Sequence, residues 1–254
     1  MRVQKSEEKM SIERIEILGV PVDICQEENL ETEILELLIK PGTKQIVFLS
    51  VWDLLKARRK NSFSECVRNA DLVLPISKSI LKAALFLKQN IPVRYNPFTA
   101  IINVLSILDS HYKTFYILGG KKKSLQKAYG NIRKTFPNLQ IVGRYVGYYP
   151  KNQEDNIIQA IYKASPSLVL LSEGVKERDT WVFNRRNRFS SSIFIYYHDA
   201  IGIFSAQIHR VKESTFKAGR EIWSEIFKNP FKIFLLFPYL YFKILLVWHR
   251  ILKK

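Results

Sequence analysis

Two stretches combine glycine with lysine or arginine where a strand should give way to a helix, an arrangement suited to holding phosphate. In Ile117-Leu-Gly-Gly-Lys-Lys-Lys123, Gly119 and Gly120 follow an apolar run and precede a run of lysines. Residues without a side chain let the backbone approach an anion, the first turn of the following helix presents unsatisfied N–H groups, and Lys121 to Lys123 add charge. Glu173-Gly174 closes another apolar run in the same way, with Lys176, Arg178, Arg185, Arg186 and Arg188 behind it. In Val142-Gly-Arg-Tyr-Val-Gly-Tyr-Tyr-Pro150, Gly143 and Gly147 read as turn glycines beside tyrosines, Tyr148 among them, able to pack on a base or sugar ring. Each stretch has a plainer alternative: an ordinary strand-to-helix turn with a solvated basic face, or tyrosines at a loop corner.

The elements that must position these residues read as α/β. Glu16 to Asp23 suggests a short strand or hairpin, and Glu27 to Lys40 places Leu30, Ile34, Leu37 and Leu38 at helical spacing before Pro41-Gly42. Short apolar runs follow at Gln45–Ser50, Asp71–Pro75, Phe115–Gly120, Gln140–Gly143, Ser167–Leu171 and Ser192–Tyr196, separated by stretches of helical length. Alternation of this kind predicts a Rossmann-like, mostly parallel sheet with helices on both faces, whose ligands bind beyond the carboxyl ends of the strands. The expected division is a polar segment over 1–14, the α/β domain over 15–204 and a basic, apolar appendage over 205–254.

A chain of 254 residues that is 47% hydrophobic can bury a core, and 40 Lys and Arg against 23 Asp and Glu give it a net charge of +17. It should therefore prefer an anionic partner: nucleic acid, a phosphorylated small molecule or an acidic membrane. Cys25 and Cys66 stand alone and the histidines are scattered, which argues against a zinc site, another metal centre or a disulfide framework. The first residues lack the apolar core of a secretory signal, so a cytoplasmic location is expected.

The tail changes character. Phe231 to Trp248 is almost wholly apolar, broken by Lys232, Pro238 and Lys243. Its length would permit a membrane span, but Lys243 would lie in hydrocarbon and bases flank both ends. On a helical wheel Lys217, Arg220, Lys228, Lys232, Lys243, Arg250 and Lys254 share one sector, with Phe231, Phe234, Leu235, Leu245, Leu246 and Trp248 outside it. That layout predicts a helix lying at an anionic membrane surface, kinked or divided at Pro238, rather than a helix packed wholly on the domain. Bases gathered beside an apolar helix, with no nucleic-acid motif, argue against a nucleic-acid partner.

Taken in order, these pieces resemble the WecB/TagA/CpsF glycosyltransferases, which transfer N-acetylmannosamine or a related sugar from a UDP-sugar to a polyprenyl-diphosphate-linked acceptor. The resemblance runs from Ile15 to about Pro230. It lies in Ile17-Leu-Gly-Val-Pro-Val-Asp23, Ala57-Arg-Arg59, Asn69-Ala-Asp-Leu-Val-Leu-Pro75, Tyr116-Ile-Leu-Gly-Gly-Lys121 and Phe136-Pro-Asn-Leu-Gln-Ile-Val-Gly143. It continues through Gly147-Tyr-Tyr149, Gly174, Trp181, Arg210, Gly219-Arg-Glu-Ile-Trp223 and Asn229-Pro230. The resemblance implies a UDP-sugar held by Gly119, Gly120, Gly143, Gly147, Tyr148, Gly174 and Arg178, and a lipid diphosphate held by Arg210 and Arg220. It also implies a basic tail docked on the inner face of the cell membrane through Lys228, Lys232, Lys243, Trp248 and Arg250. No cofactor is implied; a homo-oligomer or a partner transferase is compatible with it.

The departures fall at the chemistry. The family's Thr-x-Asn aligns with Phe48-Leu-Ser50, and its Pro-Asp-Gly, whose Asp is the expected base, aligns with Pro75-Ile-Ser77. A carboxylate there would take the proton of the acceptor hydroxyl; Ile76 has nothing to take it with. The family's Gly-x-Pro-Lys-Gln-Glu becomes Gly174-Val-Lys-Glu-Arg-Asp179, and its Gly-Gly-x-Phe-Asp becomes His198-Asp-Ala-Ile-Gly202. Asp199, Asp179 and His198 are the substitute bases that chemistry and location suggest. Two functions remain open: a divergent transferase, or an inactive homologue that binds a lipid-linked sugar or a partner transferase.

Overall fold

The computed structural model describes residues 12–211, 213–219 and 236–252. Two strands, β1 (Glu13–Ile17) and β2 (Val20–Ile24), form an antiparallel hairpin apart from the main sheet. The apolar runs that follow become β3 (Lys44–Leu49), β4 (Leu72–Pro75), β5 (Thr114–Leu118), β6 (Gln140–Tyr145), β7 (Leu168–Leu171) and β8 (Ile193–Tyr196). They pair in parallel in the order β4-β3-β8-β7-β5-β6.

The described helices between and after them are α1 (Leu30–Ile39), α2 (Val51–Ala57), α3 (Ser62–Asn69), α4 (Lys78–Phe86), α5 (Pro97–Ser110), α6 (Lys122–Thr135), α7 (Glu154–Ala164) and α8 (Asp179–Arg185). Then come α9 (Ala200–Phe204), α10 (Glu213–Ala218) and α11 (Leu236–Leu252). The connection from β5 leads outward to β6, while that from β7 leads the other way to β8, so a crevice opens between the carboxyl ends of β5 and β7.

Near-continuous apolar strands belong in a sheet covered on both faces, and the period of two assigns each residue its side. Ile46, Phe48, Phe115, Ile117, Leu168, Leu170, Ile193 and Ile195 face a core shared with α1, α5 and α6. Val47, Leu49 and Val73 face the opposite core with the hairpin, and Tyr116, Leu118, Val169, Leu171 and Phe194 face one with α7 and α8.

The hairpin is fastened by one buried carboxylate. Asp23 accepts from Arg14 Nε at 2.6 Å and Nη2 at 2.8 Å, and from the N–H of Val73 in β4 at 2.6 Å. Arg14 Nη2 also reaches the carbonyl of Ala70 at 2.9 Å, so one ion pair joins the hairpin to the start of β4.

The described tail helix α11 has Pro238 in its first turn, where a missing N–H breaks no intrahelical bond. Its two faces differ from the expected ones. Phe242 and Leu246 are buried against the hairpin core, with Tyr239 and Leu245 packed beside them, so Leu245 and Leu246 face protein. The exposed apolar side is formed by Leu240, Tyr241, Ile244, Val247, Trp248 and Ile251. Phe231, Phe234, Leu235, Arg220, Lys228 and Lys232 lie outside the described residues. Among the described residues no helix is long and apolar enough to cross a membrane.

Removing the Asp23 carboxylate leaves Arg14 and the Val73 N–H without their acceptor. Asp23→Ala should cost about 3 kcal/mol in urea unfolding, with Asp23→Asn losing less; a loss below about 1 kcal/mol would place the hairpin's anchor elsewhere.

Candidate active site

A cleft of about 480 Å³ lies beyond the carboxyl ends of β4 and β8, against the start of α5. Ile76 enters it directly after β4, fixed by its N–H to the Leu49 carbonyl at 3.0 Å and by its own carbonyl, which accepts from Arg94 Nε at 2.9 Å. Asn96 caps α5 by accepting from the N–H groups of Phe98 and Thr99, and Pro97 occupies the first helical position, where its fixed φ suits the helix. Arg210 donates to Thr99 Oγ1 at 2.8 Å, holding its guanidinium over this helix start. Asp199, the residue before α9, is the one carboxylate among the described lining residues, which also include Lys78, Arg94, Arg210 and His209.

Lys78 opens α4, at the helix end where the macrodipole disfavours a cation. Lys78, Arg94 and Arg210 with one acid among the described lining residues make a site that would favour a diphosphate and let a carboxylate act on a hydroxyl beside it. Arg94 also stacks on Phe216, 3.8 Å from the ring centroid, and donates to the Phe216 carbonyl at 2.5 Å. The Arg94–Phe216 stack divides the cleft from a neighbouring cavity of about 320 Å³ reached by Glu27, Asn103, Glu213 and Lys217.

The glycines expected at the donor site meet at the other crevice. Gly119 N–H donates to the Tyr145 carbonyl at 3.0 Å, Gly120 N–H to Glu173 at 2.8 Å, and Gly147 N–H to Gly120 at 3.0 Å. A Cβ on Gly147 would stand 2.1 Å from the Glu173 carbonyl oxygen, and one on Gly174 would stand 2.7 Å from the Gly147 carbonyl carbon. These glycines knit the loops after β5, β6 and β7 together. The Gly119 and Gly120 amides, expected to face phosphate, are spent on that joint; the N–H groups still available are those of the first turn of α6, beside Lys121 to Lys123.

Gly143 departs from expectation. It lies inside β6 rather than in a turn, and a Cβ there would fall 2.3 Å from the Tyr116 ring, so its smallness makes room for that ring. Tyr148 is exposed and rests against Gly174. Gly174 also lines a small polar cavity of about 240 Å³ with Tyr149, Trp181 and Arg185. There Glu154 joins Trp181 Nε1 at 2.8 Å to Arg185 at 2.9 Å.

The candidate bases separate. Asp199 lines the main cleft, whereas Asp179 and His198 do not. His198 lies between the two regions: its carbonyl accepts from Ser172 Oγ at 2.7 Å and from Glu173 N–H at 3.1 Å, and its Nδ1 is 3.3 Å from the Tyr196 hydroxyl. Tyr196 has Arg178, Asp179, Asp199 and Tyr148 as its electrostatic neighbours, and burial pushes its phenol up to about 12. The Asp179 carboxyl has one oxygen, Oδ1, buried without a partner; burial first, then the nearby Asp53, pushes it up to about 8. Arg178, before α8, has φ 53° and ψ −128°, a conformation costly for any side-chain-bearing residue.

Ser50, aligned with the last position of the family's Thr-x-Asn, is a helix cap: its Oγ accepts from Asp53 N–H at 3.2 Å, and Asp53 returns the bond to Ser50 N–H at 3.1 Å. On α11, Arg250 lies over the Phe86 ring at 4.5 Å, Lys243 borders a groove against α4, and Trp248 is exposed. Sequence reasoning missed Lys78, Arg94 and His209. Lys78 and His209 are isolated side chains, and Arg94 belongs to an irregular segment between α4 and α5 that only the fold brings to the cleft.

Comparison with known proteins supplies the context. The model of the glycosyl transferase WecG/TagA/CpsF family matches residues 15–254. The chain is 18% identical over 176 residues to the N-acetylglucosaminyldiphosphoundecaprenol N-acetyl-beta-D-mannosaminyltransferase of Bacillus subtilis (strain 168), covering 69% of this chain and 68% of that protein. It is 17% identical over 175 residues to the protein of the same name from Bacillus spizizenii (strain ATCC 23059 / NRRL B-14472 / W23), covering 69% and 67% respectively.

Asp179 gives a pH signature. The folded carboxyl keeps its proton up to about pH 8, while the unfolded one loses it near its ordinary value of about 4. The stability from the protonated form is present below the lower value and is lost as pH rises through the higher. Asp179→Asn should therefore gain on the parent between pH 5 and pH 8 in urea midpoint measurements; an unchanged gap would mean the carboxyl is ionised throughout.

Proposed function

Because the chain belongs to the WecG/TagA/CpsF glycosyl transferase family, we propose that it transfers an N-acetylhexosamine from a UDP-sugar to a polyprenyl-diphosphate-linked acceptor, with Asp199 as the base. The observation that carries this reading is the coincidence, in one cleft, of the position where the resemblance implies a catalytic Asp, filled by Ile76, and Asp199, the one carboxylate among the described lining residues, beyond another strand end. The acceptor hydroxyl attacks the anomeric carbon and its proton passes to Asp199. The bond from that carbon to the diphosphate breaks as the new glycosidic bond forms, and UDP departs with the negative charge.

Lys78, Arg94 and Arg210 offset charge on the phosphates in a cleft partly shielded from water, where such stabilisation is worth most. The α6 N-terminus with Lys121 to Lys123 receives the donor diphosphate, and Tyr148 and Arg178 flank it. The exposed apolar side of α11, with Lys243 and Arg250 near it, lies in the head-group region of the inner leaflet.

Ile76 favours a second reading: without the usual base, the chain binds a lipid-linked sugar and transfers nothing. Incubation with UDP-N-acetylhexosamines and a polyprenyl-diphosphate-linked acceptor separates the two, since the catalytic reading requires released UDP and an extended lipid. Binding of the lipid-linked sugar without turnover of any donor would select the second reading.

Asp199→Asn should lower kcat about 10²–10³-fold with KM little changed, while Asp179→Asn and His198→Gln stay within about tenfold; full activity in Asp199→Asn would remove it as the base. Ile244→Glu, Trp248→Glu and Ile251→Glu together should abolish pelleting with phosphatidylglycerol liposomes without lowering Tm, because all three side chains are exposed. Undiminished pelleting would mean that another surface meets the lipid.

A further inference from the structure

Between α4 and α11 lies an apolar groove of about 290 Å³ that shares the lining residues Ser79 and Tyr239 with the main cleft, so the two spaces adjoin. The helical period sorts the chemistry of α4. Lys78, which lines the main cleft, and Lys82, which lines the groove, lie one turn apart, while Ser79, Ala83 and Phe86 form a small-to-apolar floor beside Lys82. From the other wall, Phe242 and Leu246 of α11 close the floor and Lys243 adds a third base at the rim. No acid lines the groove among its described residues. A path that begins polar and cationic and ends apolar matches a ligand with a diphosphate at its head and a hydrocarbon tail.

We propose that this groove holds the first isoprene units of the acceptor, with the diphosphate on Lys78, Lys82 and Lys243 and the sugar in the main cleft. The inference rests on the proposed transfer to a polyprenyl-diphosphate-linked acceptor, and adds where the lipid leaves the active site. Lys78 and Lys82 are separated by about 6 Å along the helix axis, a spacing that lets both ammonium groups reach one diphosphate. The outer end of the groove is bordered by Val247, on the exposed apolar side of α11, so the rest of the chain passes from protein directly into the bilayer. A bulk acyl chain would fill the apolar part equally well but would gain nothing from the neighbouring cleft.

Photolabelling tests this independently of turnover. The full-length protein is irradiated with an N-acetylglucosaminyl-diphosphoprenol carrying a diazirine on its second isoprene, and adducts are mapped by mass spectrometry. Adducts on the peptides containing Phe86, Phe242 or Val247 are expected. They should be lost in Val247→Trp and displaced by unlabelled prenyl diphosphate, but not by phosphatidylglycerol vesicles.

Absence of adducts, adducts confined to other segments, or displacement by phosphatidylglycerol would overturn the assignment. Labelling in the groove without sugar transfer would uphold it and remove the catalytic reading; transfer with labelling elsewhere would do the reverse. In a transferase, Val247→Trp should raise KM for a farnesyl-linked acceptor about tenfold or more while leaving a methyl-diphosphate acceptor little changed. Equal effects on both would again overturn the groove. Because Val247 is exposed, an unchanged Tm separates blockage from misfolding.

Discussion

The carboxyl end of the sheet is organised around a backbone contact that excludes every side chain larger than hydrogen. Gly147 lies where a Cβ would stand 2.1 Å from the Glu173 carbonyl oxygen and 2.9 Å from Gly119 Cα. Three loops, from three strands, converge there and exchange amide hydrogen bonds. Their convergence fixes where α6 begins, where Tyr148 rests and how Ser172 supports His198. It is a packing constraint before it is a binding device, and the region proposed to receive phosphates inherits its shape from it.

The second organising influence is charge. The main cleft gathers cations from α4, the segment before α5 and the segment after α9, with a single acid among its described lining residues. Such a set would repel itself if desolvated; part of the repulsion is relieved where Arg94 bonds to the Ile76 and Phe216 carbonyls and Arg210 to Thr99. Asp199 lines the cleft together with these cations. Asp179 is the contrasting case: one of its oxygens is buried without a partner, and the nearby Asp53 further disfavours its charge.

Most of the architecture was legible in the sequence because strands buried on both faces must be apolar throughout, as at Leu168–Leu171 and Ile193–Tyr196. The glycine-lysine turn after β5 was legible as a turn, but its use was not: an amide facing a ligand and an amide facing a neighbouring carbonyl have the same sequence. Gly143 shows the same ambiguity, since a glycine that accommodates the Tyr116 ring within a strand looks like one that makes a corner. Ile76 was legible as a departure from its family. Lys78, Arg94 and His209 were not, because their convergence depends on crossings between elements distant in sequence. Charge spacing in the tail suggested a helix, and the described part is helical over Leu236–Leu252, yet the wheel left Leu245 and Leu246 on the side away from the domain, since apolar residues carry no mark of what covers them.

The two apolar faces of α11 narrow its evolutionary freedom. On an ordinary surface helix about half the positions drift without penalty, because water accepts almost any polar side chain. Here Phe242 and Leu246 answer to the packing of the domain, and Ile244, Trp248 and Ile251 stand exposed on the opposite side. Lys243, His249 and Arg250 are the basic residues of the described helix, which has no acid. With the proposed membrane docking, polar drift on either side would loosen a different attachment, so among homologues this segment should vary by exchange of one large apolar residue for another, preserving bulk while losing recognisable identity.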